Sequence, residues 1–95
     1  MELSGKKFLE GFKSNHADAK SSIESLEVEL ETAAWETPHE LKRRYPKASI
    51  LGNQNVIFNI CDNKYRLWVK INYKNGIVLI KKIGTHKEYE KWQIN

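Results

Sequence analysis

The sequence predicts a single α+β domain: N-terminal helices packed on one face of a small antiparallel sheet of about four strands, closed by a short C-terminal helix. Three observations predict it. Apolar residues of the first 45 positions recur at helical spacing. From Ala48 the apolar period switches to two. An Asn75-Gly76 pair, a strong short-range hairpin signal, then separates two of the strand-like runs. With 95 residues the chain can bury one core, so residues 1–95 form one domain.

The elements follow in order. "SGKKFLEGFKSNH" places Phe8, Leu9 and Phe12 on one helical face, with Ser4 as the expected N-cap. In "DAKSSIESLEVELETAAW", Ile23, Leu26, Leu30 and Ala33 form an apolar stripe. Glu24, Glu27 and Glu31 line another face, either solvated or a counterweight to a basic sheet. "TPHELKRRYP" reads as a third, short helix. Thr37 and Glu40 have capping-box spacing, Pro38 stands where a missing N–H costs nothing, and Pro46 ends the segment. Lys42, Arg43 and Arg44 suit the negative end of the helix dipole, which accounts for them without any ligand.

Four strand candidates follow: "ASIL", "NVIFNI", "KYRLWVKINY" and "GIVLIKKI". In the third, Tyr65, Leu67, Val69, Ile71 and Tyr73 face one way, while Arg66, Trp68, Lys70 and Asn72 face the other. The run Ile77–Ile80 is apolar on both faces, the pattern of a central strand covered on both sides. Thr85 and Glu88 repeat the capping-box spacing, so "HKEYEKWQIN" is expected to form the terminal helix.

At 40% apolar and 29% charged residues the composition is that of an ordinary globular domain. No apolar run approaches the roughly 20 residues of a membrane helix, and the N-terminus lacks a signal-peptide core. The one cysteine, Cys61, has no internal disulfide partner, so a reducing cytoplasm is the expected compartment. His16, His39 and His86 lie far apart, and neither CxxC nor HxxxH occurs, which argues against a zinc site. The absence of a Gly-rich phosphate loop leaves nucleotide hydrolysis without support. No cofactor is expected.

Charge is divided unevenly. Residues 1–37 set eight acids against four lysines, a net −4, while residues 38–95 set twelve bases against four acids, a net +8. A basic half interleaved with Tyr and Trp is the pattern that phosphate contacts and base stacking require. A solvated surface would look the same by charge alone. Lys64, Arg66 and Lys70 project from one face of the third strand with Trp68 among them. Arg66 offers a planar fork that can bind two phosphate oxygens at once. The competing account is a charged strand surface, with Trp68 covered by the terminal helix.

The segment "IGTHKEYEKW" holds a further candidate. Gly84 permits a tight turn, and His86 and Tyr89 then share one side of the terminal helix. A histidine beside a basic face can move protons near neutral pH. Alternatively, Thr85 caps the helix, His86 is exposed, and Tyr89 and Trp92 pack down on the core.

The stretch "ASILGNQNVIFNICDNKYRLWVKINYKNGIVLIKKIGTHKEY" resembles the toxins of the HigB family, within the RelE-like ribosome-dependent mRNA interferases. The resemblance rests on "FNI", "NKYRL" and "GTHKEY" in that order, and on Trp35, Thr37, Pro38, Leu41, Lys42, Tyr45 and Pro46 before them. It implies a RelE-like fold, cleavage of mRNA on the ribosome without a metal ion, and a helix-turn-helix antitoxin of the HigA type as partner. By this resemblance Arg66 holds the phosphate, His86 transfers a proton, and Tyr89 stacks on a base or shares the acid role. Asn59, Lys64, Trp68, Lys70 and Lys82 form the RNA-binding set. The sequence departs from the family's pattern in three respects. Ile57 and Asn59 stand where basic residues are common, so a lysine general base is absent from that strand. "MELSGKK" fits poorly as a first strand, and Trp68 stands where aliphatic residues are commoner. Two other classes compete with the nuclease: a non-catalytic RNA- or ribosome-binding module, and a protein-interaction module whose basic face takes an acidic segment.

Overall fold

A computed structural model describes all 95 residues. Strand β1 spans Glu2–Ser4 and helix α1 Lys6–Asn15. A 3₁₀ turn at Ala17–Ala19 leads into α2, Lys20–Thr32, and α3 covers Pro38–Arg44. Then come β2 (Ser49–Ile50), β3 (Asn55–Ile60), β4 (Tyr65–Asn72), β5 (Ile77–Thr85) and α4 (His86–Tyr89). The α+β class and the four expected strands are present, and the sheet has a fifth strand. Its order is β1-β5-β4-β3-β2, with β1 parallel to β5 and the other pairs antiparallel.

The fifth strand corrects the reading of the N-terminus. Met1 and Leu3 pack against the core, and the terminal ammonium donates to the carbonyls of Glu31 and Ala33 at 2.9 Å each. The Glu2 N–H donates to the Gly76 carbonyl at 2.7 Å. Ser4 is therefore strand rather than N-cap, and Gly5 takes the cap position at φ 91°. A side chain there would be doubly penalised: the φ is left-handed, and a Cβ would stand 3.0 Å from the Ile80 carbonyl oxygen.

The helices bury the expected stripe. Leu9, Ile23, Leu26, Leu30 and Leu41 meet Phe58, Leu67, Val69, Ile71, Val78 and Ile80 from the inner face of the sheet. Each fully buried side chain of this kind contributes roughly 1.5–3 kcal/mol. Phe8, expected on the same face as Leu9, is 54% exposed. The acids of α2 pair within the helical layer and not with the sheet. Lys13, 8% exposed, lies 2.9 Å from Glu10 and Glu27 and 3.6 Å from Glu24, while Lys6 pairs with Glu31 and Arg44 with Glu29.

Two features of the sheet position the site. Loops 51–54 and 61–64 turn through left-handed residues, Asn53 and Gln54 in the first and Cys61, Asp62 and Asn63 in the second. Asn and Asp tolerate that conformation best. The second feature is a bulge. Trp68 pairs with Lys82 but Val69 pairs with Ile80, leaving Lys81 as the extra residue. Strict alternation would put Ile83 beside Ile77 and Leu79. The bulge instead sends Ile83 toward the core, and sets Lys82 and Gly84 beside Trp68 and Arg66 on the outer face. Before the bulge, Val78 and Ile80 are buried but Ile77 and Leu79 are 37% and 39% exposed. The run Ile77–Ile80 is thus covered on one face only, and β4 is the central strand.

Candidate active site

On the outer face, Asn59, Arg66 and Gly84 stand side by side on β3, β4 and β5. Arg66 is 9% exposed. Its Nη1 donates to the Asn63 carbonyl at 2.7 Å and to its neighbour Tyr65's carbonyl at 3.4 Å. The left-handed turn at Asp62 and Asn63 presents the first of these acceptors. The guanidinium carbon lies 5.4 Å from the centroid of the Tyr89 ring, within cation–π range.

Tyr89 is held by a complete capping box. The Glu88 N–H donates to Thr85 Oγ1 at 3.1 Å, and the Thr85 N–H donates to Glu88 Oε1 at 2.8 Å. The backbone hydrogen bond from Thr85 holds the Glu88 carboxyl below the usual range. The His86 N–H continues the β4–β5 ladder to the Lys64 carbonyl at 3.1 Å. The His86 ring is exposed, 6.1 Å from the Tyr89 ring between centroids, with Nε2 3.9 Å from Glu90 Oε2. Arg66, Tyr89 and His86 thus form one cluster at the corner where β4, β5 and α4 meet. Asn59 lies on the other side of Arg66, and its Nδ2 donates to the Lys47 carbonyl at 3.3 Å.

The other expected contacts are distributed differently. The helix ends at Tyr89, and residues 90–95 run back over the sheet. Trp92 packs against Trp68, tilted by 33° with centroids 6.2 Å apart, and meets Tyr89 edge-on at 5.7 Å. Trp68 is 7% exposed, and its Nε1 donates to Asn55 Oδ1 at 2.8 Å. Asn55 Nδ2 donates in turn to the Asn95 carbonyl at 2.8 Å, which also accepts from Lys70 Nζ at 3.3 Å. Trp68 and Lys70 therefore lie beneath the C-terminal segment. Lys64 binds the Asp18 carboxylate on the helical side, and Tyr65 donates to the same carboxylate at 2.8 Å. The hydrogen bonds from Lys64 and Tyr65 hold the Asp18 carboxyl below its ordinary range, and the bond to Asp18 raises the Lys64 ammonium. Lys82 is exposed on the outer face beside Trp68.

Two residues with no expected role complete the site, Asn63 through its carbonyl and Asn55 as the link between Trp68 and the chain end, and Gly84, expected at a tight turn, acts through what it lacks. A Cβ at Gly84 would lie 3.0 Å from Glu88 Oε1 and 3.1 Å from Trp92 Cζ2. The bare backbone lets α4 and Trp92 settle against the sheet. The strand-to-helix turn at "GTHKE" hinted at Gly84. Asn63 opens the "NKYRL" motif, though its carbonyl was not expected as an acceptor, and nothing in the sequence marked Asn55.

A mixed sheet backed by helices, with an Arg–Tyr–His corner on its open face, is compatible with a RelE-like toxin. Comparison with protein families agrees. Residues 19–92 match the HigB_toxin family, described as the RelE-like toxic component of a toxin-antitoxin system. The chain belongs to this family, so its role is that of a toxin with a cognate antitoxin. No curated protein matches it. No helix is long and apolar enough to cross a membrane.

Proposed function

We propose that the protein is a ribosome-dependent mRNA interferase that cuts mRNA by attack of a ribose 2′-hydroxyl on the adjacent phosphate. The convergence of Arg66, Tyr89 and His86 at one corner, with His86 exposed, carries this reading. His86 takes the proton from the 2′-hydroxyl as the new O2′–P bond forms. Arg66 stabilises the charge that develops on the phosphoryl oxygens, where a preorganised donor is worth about 10²- to 10³-fold in rate. Tyr89 keeps the guanidinium in place and either gives a proton to the departing O5′ or stacks on a base while protonated His86 gives O5′ the proton that it took. The P–O5′ bond breaks, leaving a 2′,3′-cyclic phosphate and a 5′-hydroxyl. This sequence of steps needs no metal ion.

Lys82 and Asn59 border the corner and serve as RNA contacts. Trp68 and Lys70 join them only when residues 90–95 move aside, and Lys64 only when it leaves Asp18. The partner is a helix-turn-helix antitoxin of the HigA type, and the site of action is the cytoplasm.

Purified protein mixed with ribosomes carrying a defined mRNA tests the proposal. Cleavage with 5′-hydroxyl ends, reduced about 10²- to 10⁴-fold by His86→Ala, is expected. Intact mRNA, with the protein bound to the same ribosomes, would establish the non-catalytic binding module instead.

A further inference from the structure

The edge of the sheet beyond β2 is open, and it borders a groove. β2 is two residues long and pairs only with Val56 and Ile57 of β3. Three hydrogen bonds set the direction of the β3 backbone. The Leu51 N–H donates to the Asn55 carbonyl, the Ile71 N–H to that of Gln54, and the His86 N–H to that of Lys64. By the period of two, the N–H and C=O of Asn55, Ile57 and Asn59 point away from β4, toward β2 and past its end. Asn55 and Ile57 meet Leu51 and Ser49 there. The position opposite Asn59 belongs to Lys47, which lies in the turn after α3 and accepts only the Asn59 side chain. The backbone N–H and C=O of Asn59 thus have no backbone partner, and a strand pairing with them takes the place that the Lys47 backbone holds.

They face a groove of about 620 Å³ between β3 and α2. Tyr45 and Pro46 supply apolar surface above the buried Leu26 and Phe58, Ser22 and Ser25 supply hydroxyls, and the exposed Lys47 has no carboxylate partner. Cys61, at the far end of the same edge, is held at φ 52°, a conformation that is costly for a side chain of this kind. An unpaired strand edge beside an apolar floor is the arrangement that takes up an extended peptide, by main-chain hydrogen bonds and alternate side-chain contacts. RNA is less suited to the groove. Its charged lining is balanced, Arg44 and Lys47 against Glu29 and Asp62, and Arg44 is already bound to Glu29.

We propose that the cognate antitoxin docks here through an extended segment that pairs with β3 at Asn59 as the turn at Lys47 yields, places an apolar side chain against Tyr45 and Pro46, and offers a carboxylate to the Lys47 ammonium. A strand in this position would lie against Asn59, next to Arg66 in the sheet, and would couple docking to the candidate active site. The inference rests on family membership and not on the cleavage reaction, so it stands or falls separately from the nuclease reading.

The test uses the full-length protein and its cognate antitoxin. Ser25→Trp, at an exposed position on α2, fills the groove. Affinity for the antitoxin is expected to fall tenfold or more, about 1.4 kcal/mol or greater, with action on ribosomes kept. Amide hydrogen exchange at Asn59 and Cys61 is expected to slow in the wild-type complex, and this second measurement decides the matter if the variant does not fold. Undiminished antitoxin affinity in a folded Ser25→Trp, or unprotected Asn59 and Cys61 amides in the complex, would overturn the proposal. Loss of ribosome-dependent activity with unchanged antitoxin binding would assign the groove to RNA and overturn it equally.

Discussion

The guanidinium carbon of Arg66 lies over the ring of Tyr89, 5.4 Å from its centroid. That contact joins the middle of the sheet to a helix formed twenty residues later in the chain. Arg66→Lys keeps the charge and removes the planar fork and much of the contact with the ring. Cleavage on the ribosome is expected to fall about 10²-fold or more, with ribosome binding nearly unchanged. Single-turnover rates and a binding titration, measured side by side, check this. Loss of binding in step with rate would make Arg66 a simple anchor.

Gly84→Ala tests how closely the C-terminal segment must approach the sheet. The added methyl meets Glu88 Oε1 at 3.0 Å and Trp92 Cζ2 at 3.1 Å, and so displaces the segment. A cost of about 1–3 kcal/mol, the usual range for overpacking, is expected in denaturant titration. Trp68 and Trp92 fluorescence should change with it. A variant as stable as wild type, with unchanged emission, would mean that the segment yields freely.

Lys13 ties α1 to α2. Burial opposes its charge, but hydrogen bonds to Glu27 and Glu10 outweigh that and hold the ammonium above its ordinary 10.5. Its contribution is therefore complete below pH 10.5 and is lost only in strong alkali. Lys13→Ala leaves Glu27, 9% exposed, without its cation. A loss of roughly 2–3 kcal/mol is expected at neutral pH, below the range for a fully enclosed pair because Glu10 and Glu24 reach solvent. Thermal unfolding of Lys13→Ala beside wild type measures it.

Asp18 and Glu88 both contribute on the acid side, and Asp18 is the one bound by two side chains. With its carboxyl held below the ordinary 3.8, its contribution is present above that value and disappears as pH falls through the lower folded value. Asp18→Asn should lower Tm at pH 6 and flatten the fall in Tm below pH 4. An unchanged acid profile would show that other carboxylates dominate there.

Much of this architecture was legible because short-range chemistry decides it. Thr37 caps α3 through the Glu40 N–H, and Thr85 and Glu88 complete the capping box of α4, both at the expected spacing. The alternation of β4 put Tyr65, Leu67, Val69 and Ile71 in the core as the pattern implied. The errors came from long-range partners. Glu2–Ser4 has no strand pattern of its own and becomes a strand by pairing with Ile77–Leu79. The bulge at Lys81 breaks the period of two without any Gly or Pro to announce it. For Trp68, covering by the terminal segment and contact with RNA were both open from the sequence. The position of Trp92 and the Asn55–Asn95 link show that covering, 24 or more residues away in the chain.

The central claim is that the Arg66–Tyr89–His86 corner cuts mRNA on the ribosome. The most direct measurement maps mRNA 5′ ends in bacteria after brief induction of wild type and His86→Ala, both shown to accumulate. The account predicts new in-frame cuts with 5′-hydroxyl ends in wild type and their loss in the variant. Cuts that persist in His86→Ala, or no cuts with either protein, would contradict it.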